Sequence, residues 1–220
     1  MAEGPRAGAR PPLVAVSPHL DDVVLGCAGL LAAHPGALVV TVTAGRPGPH
    51  PLTDWDRQCG FAEGDDVVGA RRREDQSALA LLGATPRWLD FLDRQYADGK
   101  PPDAAEVASA LRPIVELGAL FASPLGLVHP DHVAVAAACV RLRPARWIVY
   151  EDALYRANAG ETEAAVAALR NHRLDLERVN VPEAPAKRSA VASYTSQVRG
   201  LGELLEDAYR PERYWSLEFR

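Results

Sequence analysis

The sequence predicts an α/β fold built on a mostly parallel, doubly wound sheet. Short apolar runs alternate with stretches of helical periodicity along the 220-residue chain, the signature of that class. Two His/Asp clusters each stand where an apolar run gives way to a helical one, and the carboxyl ends of strands are where such sheets hold ligands. The composition, 48% hydrophobic and 24% charged, is that of an ordinary globular domain long enough to bury a continuous core. One domain is expected over residues 13–220, after a loose tail of Gly, Pro, Arg and Ala at 1–12.

The elements follow in order. Leu13 to Ser17 reads as the first strand, and Asp22 to His34 as a helix with apolar residues at Val24, Leu25, Ala28, Leu30 and Leu31. Ala37 to Ala44 is the second strand. From Gly45 to Asp65 the chain is irregular, rich in Pro, Gly, Asp and Trp, and such a loop at a strand's carboxyl end is a candidate substrate lid. Asp66 to Leu82 is helical and stops at Gly83, a left-handed cap. Arg87 to Phe91 is the third strand, Asp103 to Leu117 a helix that Gly118 ends, and Ala119 to Ala122 the fourth strand. Asp131 to Leu142 is the next helix and Trp147 to Tyr150 the fifth strand. Beyond it, helices are expected at Glu161 to Asn171 and Pro185 to Leu201, on either side of a short strand at Leu174 to Val179.

A net charge of −5 without a dominant basic run argues against nucleic acid or an anionic membrane as partner. Residues 1–12 lack the apolar stretch of roughly 7 to 15 residues that a signal peptide needs, so a cytoplasmic protein is expected, and a homo-oligomer is allowed. Cys27, Cys59 and Cys139 form no CxxC pair and do not describe a disulfide framework. Cys27 and Cys139 fall within helical apolar patterns and read as core.

The first cluster is Pro18-His19-Leu20-Asp21-Asp22 and the second His129-Pro130-Asp131-His132. Each also has a plain structural reading, since Asp21, Asp22 or Asp131 at a helix start can simply cap it and a histidine can be an ordinary partly buried imidazole. Taken together, three histidines and three aspartates at one sheet edge are a costly accumulation unless a cation organises them. A metal site is therefore expected.

At these residues the chain resembles the PIG-L/LmbE-like family of zinc-dependent N-acetylglucosaminyl deacetylases, which includes the mycothiol-pathway deacetylase. The resemblance rests on His19-Leu20-Asp21-Asp22, on His129-Pro130-Asp131-His132, and on an Arg-x-x-Glu helix ending in Leu-Gly, here Arg71, Glu74, Ala78 and Leu82-Gly83. It spans roughly residues 13 to 140 and implies a Rossmann-like sandwich. It further implies that His19, Asp22 and His132 bind zinc, two imidazoles and a carboxylate leaving a position open for water; Fe2+ or Co2+ can occupy the same set. Asp21 is then the general base, and His129 a protonated group that stabilises the oxyanion or delivers a proton to the leaving amine. Asp131 would hold the His129 ring and keep it charged.

Arg71 is implied to reach the substrate, with a helix-surface ion pair to Glu74 or Asp75 as the alternative. In the long loop, Trp55 and Asp56 suit a sugar, one as a stacking face and one as a hydroxyl acceptor, while Trp55 as a mere loop anchor is equally open. Glu151 and Asp152 follow the fifth strand and can cap, bind substrate or do neither. The chain departs from the family's common His-Pro-Asp-Asp-Glu at Leu20 and Val23, neither of them a ligand position. It also has Leu127 where the mycothiol-type enzyme carries a tyrosine, a hydroxyl that Tyr96, Tyr150 or Tyr155 would have to replace.

The function expected is zinc-dependent removal of an N-acyl group, acetyl foremost, from an amino sugar or sugar-containing conjugate. The alternatives are a deacylase of non-sugar amides and a family member that binds metal or sugar without turnover. A nucleotide-binding module is disfavoured because Val16-Ser17-Pro18-His19 replaces the Gly-rich first turn that cradles phosphate.

Overall fold

In the computed structural model, residues 12–115, 119–158 and 160–219 are described. Seven strands form one sheet: β1 (Leu13–Ser17), β2 (Leu38–Thr41), β3 (Thr85–Trp88), β4 (Leu120–Pro124), β5 (Trp147–Tyr150), β6 (Leu174–Val179) and β7 (Tyr214–Phe219), in the order β3-β2-β1-β4-β5-β7-β6. The first five are parallel, and β7 runs antiparallel between β5 and β6. The α/β class, the mostly parallel sheet and the Rossmann-like arrangement are as expected.

Strand residues alternate between two cores because successive side chains leave a sheet on opposite faces. Leu13, Ala15 and Val39 pack with helix α1 (Asp22–Ala32), α3 (Val67–Leu81), α7 (Lys187–Ala192) and the 3-10 segment Gly202–Tyr209. Val14, Val16, Val40 and Phe121 pack with α4 (Ala104–Val115), α5 (Pro130–Leu142) and α6 (Glu161–Asn171). Both faces being covered, the strands β1 and β4 carry near-continuous apolar runs.

Several local expectations are corrected. β3 lies two residues earlier than expected, over Thr85–Trp88, held in parallel register with Leu38–Thr41. The loop after β2 contains a helix, α2 (Asp54–Gln58), closed by a capping box in which Thr53 and Asp56 serve each other's backbone. The expected helix from Pro185 to Leu201 is two, α7 and α8 (Thr195–Leu201), broken where the Tyr194 hydroxyl turns in to donate to Asp75 at 2.8 Å. β7 and the 3-10 segment went unpredicted. Leu117, Gly118 and the tail up to residue 11 lie outside the described residues.

Helix α1 breaks at Cys27 (φ −141°, ψ 17°). The Glu212 carboxylate enters the break and accepts the backbone N–H groups of Ala28 and Gly29 at 2.9 and 2.8 Å, so the second half of the helix gains an acidic cap. At Gly29 a Cβ would stand 2.4 Å from the Pro182 carbonyl oxygen, which reserves that position for glycine.

The order of strands reverses between β1 and β4. Ligand crevices in such sheets open at that point, outside the carboxyl ends, and the segments following these two strands carry the two His/Asp clusters.

Candidate metal centre and active-site cavity

The turn from β1 into α1 presents His19, Asp21 and Asp22, and the turn from β4 into α5 presents His129, Asp131 and His132. The approach to the second is strained: Val128, β-branched, has φ +56° inside a tight turn in which the His129 N–H donates to the Leu127 carbonyl at 2.6 Å. Such backbone persists where surrounding structure over-determines it, often at functional sites.

Three donor atoms from the two turns converge. His19 Nδ1 lies 3.1 Å from Asp22 Oδ2, His132 Nε2 lies 3.2 Å from the same oxygen, and the two nitrogens are 3.2 Å apart. A tetrahedral zinc with ligands at about 2.0–2.2 Å separates its donors by about 3.3–3.6 Å, so this triangle has close to the span of one face of such a site. A looser ring of donors surrounds it, with His129 joining His19 and His132, and Asp93 and Asp131 joining His19, each group within 4.8 Å. Either group, like the tighter triangle, has the donors a metal ion could use.

Each imidazole of the triangle is steered by a carboxylate at its far nitrogen. His19 Nε2 meets Asp131 Oδ2 at 3.0 Å and His132 Nδ1 meets Asp152 Oδ1 at 2.6 Å, the orienting arrangement common behind metal-binding histidines. Asp152, two residues past β5, also accepts the N–H groups of Gly126 and Leu127 at 2.9 and 3.2 Å, tying the strained turn to the ring. Its position at a strand's carboxyl end next to the crevice was its only sequence signal. Glu151 turns away to Trp215, Arg213 and Arg178.

Neither Asp21 nor Asp22 acts as a side-chain cap for α1. Asp22 instead accepts the His19 backbone N–H at 2.7 Å. Asp131 is not a cap either, and it does not hold the His129 ring as expected: its Oδ2 is drawn to His19 and to the Arg94 N–H at 3.2 Å. His129 Nδ1 accepts the Asp131 backbone N–H at 3.3 Å, which assigns the ring proton to Nε2.

The charges follow this geometry. Burial and the adjacent Asp22 carboxylate push Asp21 up to about 7. Burial opposes charge on Asp22, yet His132 and His19 hold it well below the usual carboxylate range. Burial likewise opposes charge on the imidazoles, but hydrogen bonds to Asp131 and Asp22 keep His19 well above its ordinary value, and Asp22 with Asp152 raises His132 to about 9. His129 differs: burial and the neighbouring His19 and His132 lower it to about 4. This direction runs against the protonated His129 that the resemblance implies.

These groups open on a cavity of about 660 Å3, lined by His19, Asp21, Asp22 and His129 on one side and by Trp55, Arg71, Arg94 and Tyr155 among others around it. Arg71 pairs with neither Glu74 nor Asp75. Its ion pair is with Asp56 at 3.2 Å, because Glu74 is taken by Thr195 and Ser196 and Asp75 by Trp88 and Tyr194. Asp56 is fully buried, serving Arg71, the Tyr96 hydroxyl and the Thr53 N–H, so the hydroxyl-binding role expected of it is replaced by that of a brace. Trp55 lines the cavity and packs over Gly200, where a Cβ would meet its ring at 3.0 Å, which fits the loop-anchor alternative. Of the three tyrosines, Tyr150 donates to the Val16 carbonyl and Tyr96 to Asp56. Tyr155 faces the site, its ring 5.1 Å from that of His132.

Among the described residues no helix is long and apolar enough to cross a membrane. No curated protein matches the chain. Among solved structures, a deacetylase of the teicoplanin biosynthesis pathway in complex with bog is 26% identical with a TM-score of 0.77, over 94% of this chain and 97% of that one. The zinc-inhibited form of the teicoplanin deacetylase Orf2 is also 26% identical, with a TM-score of 0.75 over the same shares. The N,N'-diacetylchitobiose deacetylase of Pyrococcus horikoshii, at 15% identity and a TM-score of 0.59 over 94% of this chain and 83% of that one, shares the fold. Residues 14–142 match the family of GlcNAc-PI de-N-acetylases, PIG-L. With both His/Asp clusters inside that match, the protein belongs to the PIG-L/LmbE-like family and is an N-deacetylase, a hydrolase.

Proposed function

We propose that the protein removes an acetyl group from the nitrogen of an amino sugar within a glycoconjugate, using a zinc ion held by His19, Asp22 and His132. The observation that carries this is the 3.1–3.2 Å triangle of their donor atoms, with Asp21 next to Asp22 in the cavity lining. The sugar rests on the teicoplanin-pathway and chitobiose deacetylases that the chain resembles. Zinc in such a site lowers the pKa of water and polarises a carbonyl oxygen.

Asp21 takes a proton from the attacking water. Its apolar burial makes it a willing acceptor, and a cation beside it favours the ionised form a base requires. The same carboxyl can pass that proton to the leaving amine. His129 donates its Nε2–H to the oxyanion, because its Nδ1 is engaged as an acceptor. Asp131 and Asp152 keep the two imidazole ligands aimed, Arg71 and Trp55 bound the sugar side of the cavity, and the Asp56 brace fixes Arg71.

Metal analysis of protein purified without added metal, with amine release from N-acetylglucosamine conjugates before and after chelation, tests the reading. Near-stoichiometric zinc and chelator-sensitive release are expected, and Asp21→Asn should keep the metal while losing about 10²–10⁴ in kcat. Metal-free protein that stays inactive on reconstitution, or an Asp21→Asn variant with intact rate, would overturn it.

A further inference from the structure

Arg94 lines the cavity from the segment after β3, and while its N–H serves Asp131, its side chain has no role described so far. Its Nε donates to the Gly99 carbonyl at 3.2 Å, which pins the side chain. Its terminal nitrogens have no carboxylate partner among the described residues. The other cavity arginine, Arg71, is matched by Asp56, and Arg46 and Arg72 outside it by Asp66 and Asp90. The nearest acid in sequence, Asp93, is occupied by the Gln95 backbone and side-chain N–H groups at 3.0 and 2.9 Å.

The Arg94 backbone N–H rests on Asp131 Oδ2, which rests on His19. One side-chain length therefore separates its guanidinium from the groups around the proposed metal. We infer that Arg94 selects a substrate carrying a carboxylate near the acetamido group. A guanidinium fork matches a carboxylate in two parallel hydrogen bonds. A dianionic phosphate fits less well, since a single free guanidinium would leave one charge uncompensated before Asp21, Asp22 and Asp93. The inference deepens the amino-sugar reading and rests on it.

Binding to the chelator-treated protein, measured by calorimetry, is the test. N-acetylmuramic acid, whose lactyl carboxylate hangs through an ether oxygen from the carbon beside the one bearing the acetamido group, is compared with its neutral carboxamide and with N-acetylglucosamine 6-phosphate. The carboxylate should bind at least about tenfold tighter than the carboxamide, and the preference should shrink with salt. Arg94→Gln, which retains the backbone N–H on Asp131, should bring the ratio near one, and Arg94→Lys should leave part of it. Equal binding of acid and amide, a preference that survives in Arg94→Gln, or tighter binding of the phosphate would each overturn the inference. N-acetyl-β-alanine against its amide separates the two readings. Preference for that acid without binding of any sugar faults the sugar alone and keeps the carboxylate site, whereas no preference in either pair removes Arg94 from recognition.

Discussion

Helix α1 carries two buried charge clusters that differ in kind. At its middle, Lys187 donates to Glu212 at 2.6 Å and to the Leu25 carbonyl at 2.8 Å, while Glu212 also receives Ala28 N–H, Gly29 N–H and the Tyr214 hydroxyl. One cation meets one anion and the donors around them are used. At its start, four carboxylates (Asp21, Asp22, Asp131 and Asp152) surround two imidazoles. Even with both rings protonated that cluster has negative charge to spare, and Asp131 Oδ1 is buried without a hydrogen-bond partner among the described residues. The first cluster is complete within the chain, whereas the second has carboxylate to spare, as a candidate metal site would. The contrast separates a structural network from a functional one more surely than burial or pKa alone, since both are buried and both are perturbed.

The largest effect expected from this contrast is at the closed cluster. Glu212→Ala leaves the Lys187 ammonium buried without its counter-charge and uncaps the break in α1, which should cost about 3–5 kcal/mol in urea unfolding. Zinc stoichiometry in the folded fraction should remain near one. A variant as stable as the parent would show that the network is not self-supporting, and loss of zinc at full stability would merge the two clusters into one.

Asp75 is an intermediate case, a buried acid with two neutral donors, Trp88 Nε1 at 2.7 Å and the Tyr194 hydroxyl at 2.8 Å, and no paired cation among the described residues. Burial raises it to about 6 against those hydrogen bonds. A raised carboxyl favours the folded state below its unfolded value and loses that contribution as pH climbs through the folded one. Stability should thus fall between about pH 4 and pH 6, by of order 3 kcal/mol for a two-unit shift. Unfolding midpoints across that range in wild type and Asp75→Asn measure it, because the asparagine variant should lack this part of the slope. Parallel curves would mean that Asp75 stays ionised in the fold.

The same division explains what could be read from the residues. The triangle's donor residues lie in two short local motifs, each directly after an apolar strand, so their meeting needed only a parallel sheet with β1 beside β4. The carboxylates that aim them were harder. Asp152 follows a strand as many acids do, and only its 2.6 Å contact with His132 distinguishes it from the neighbouring Glu151. Asp56 looked like a sugar ligand because its capping partner Thr53 and its ion-pair partner Arg71 are satisfied inside the fold, which a loop's composition does not reveal. The kink at Cys27 follows Gly26, a permissive residue rather than a proline. The N–H groups it frees meet Glu212, more than 180 residues onward, a partner that no local pattern reveals. β7 fell outside the expected elements for a like reason, its place being set by β5 and β6 on either side.

The smallest effect tests the open cluster from the side of stability. If its negative charge is in excess for the sake of a cation, removing one carboxylate should relieve the metal-free fold. Asp21→Asn keeps the shape and deletes a charge beside Asp22. It should stabilise the chelator-treated protein by about 0.5–2 kcal/mol, the range of a single favourable change at a site strained for function. With zinc present the gain should shrink, because the ion already offsets the charge. The sign is the informative part. The substitution that removes the proposed base makes the empty fold firmer, whereas any loss of a charge at the Lys187–Glu212 cluster makes it weaker. Destabilisation by Asp21→Asn without metal would mean that Asp21 holds the fold together, and the open cluster would then have to be counted with the closed one.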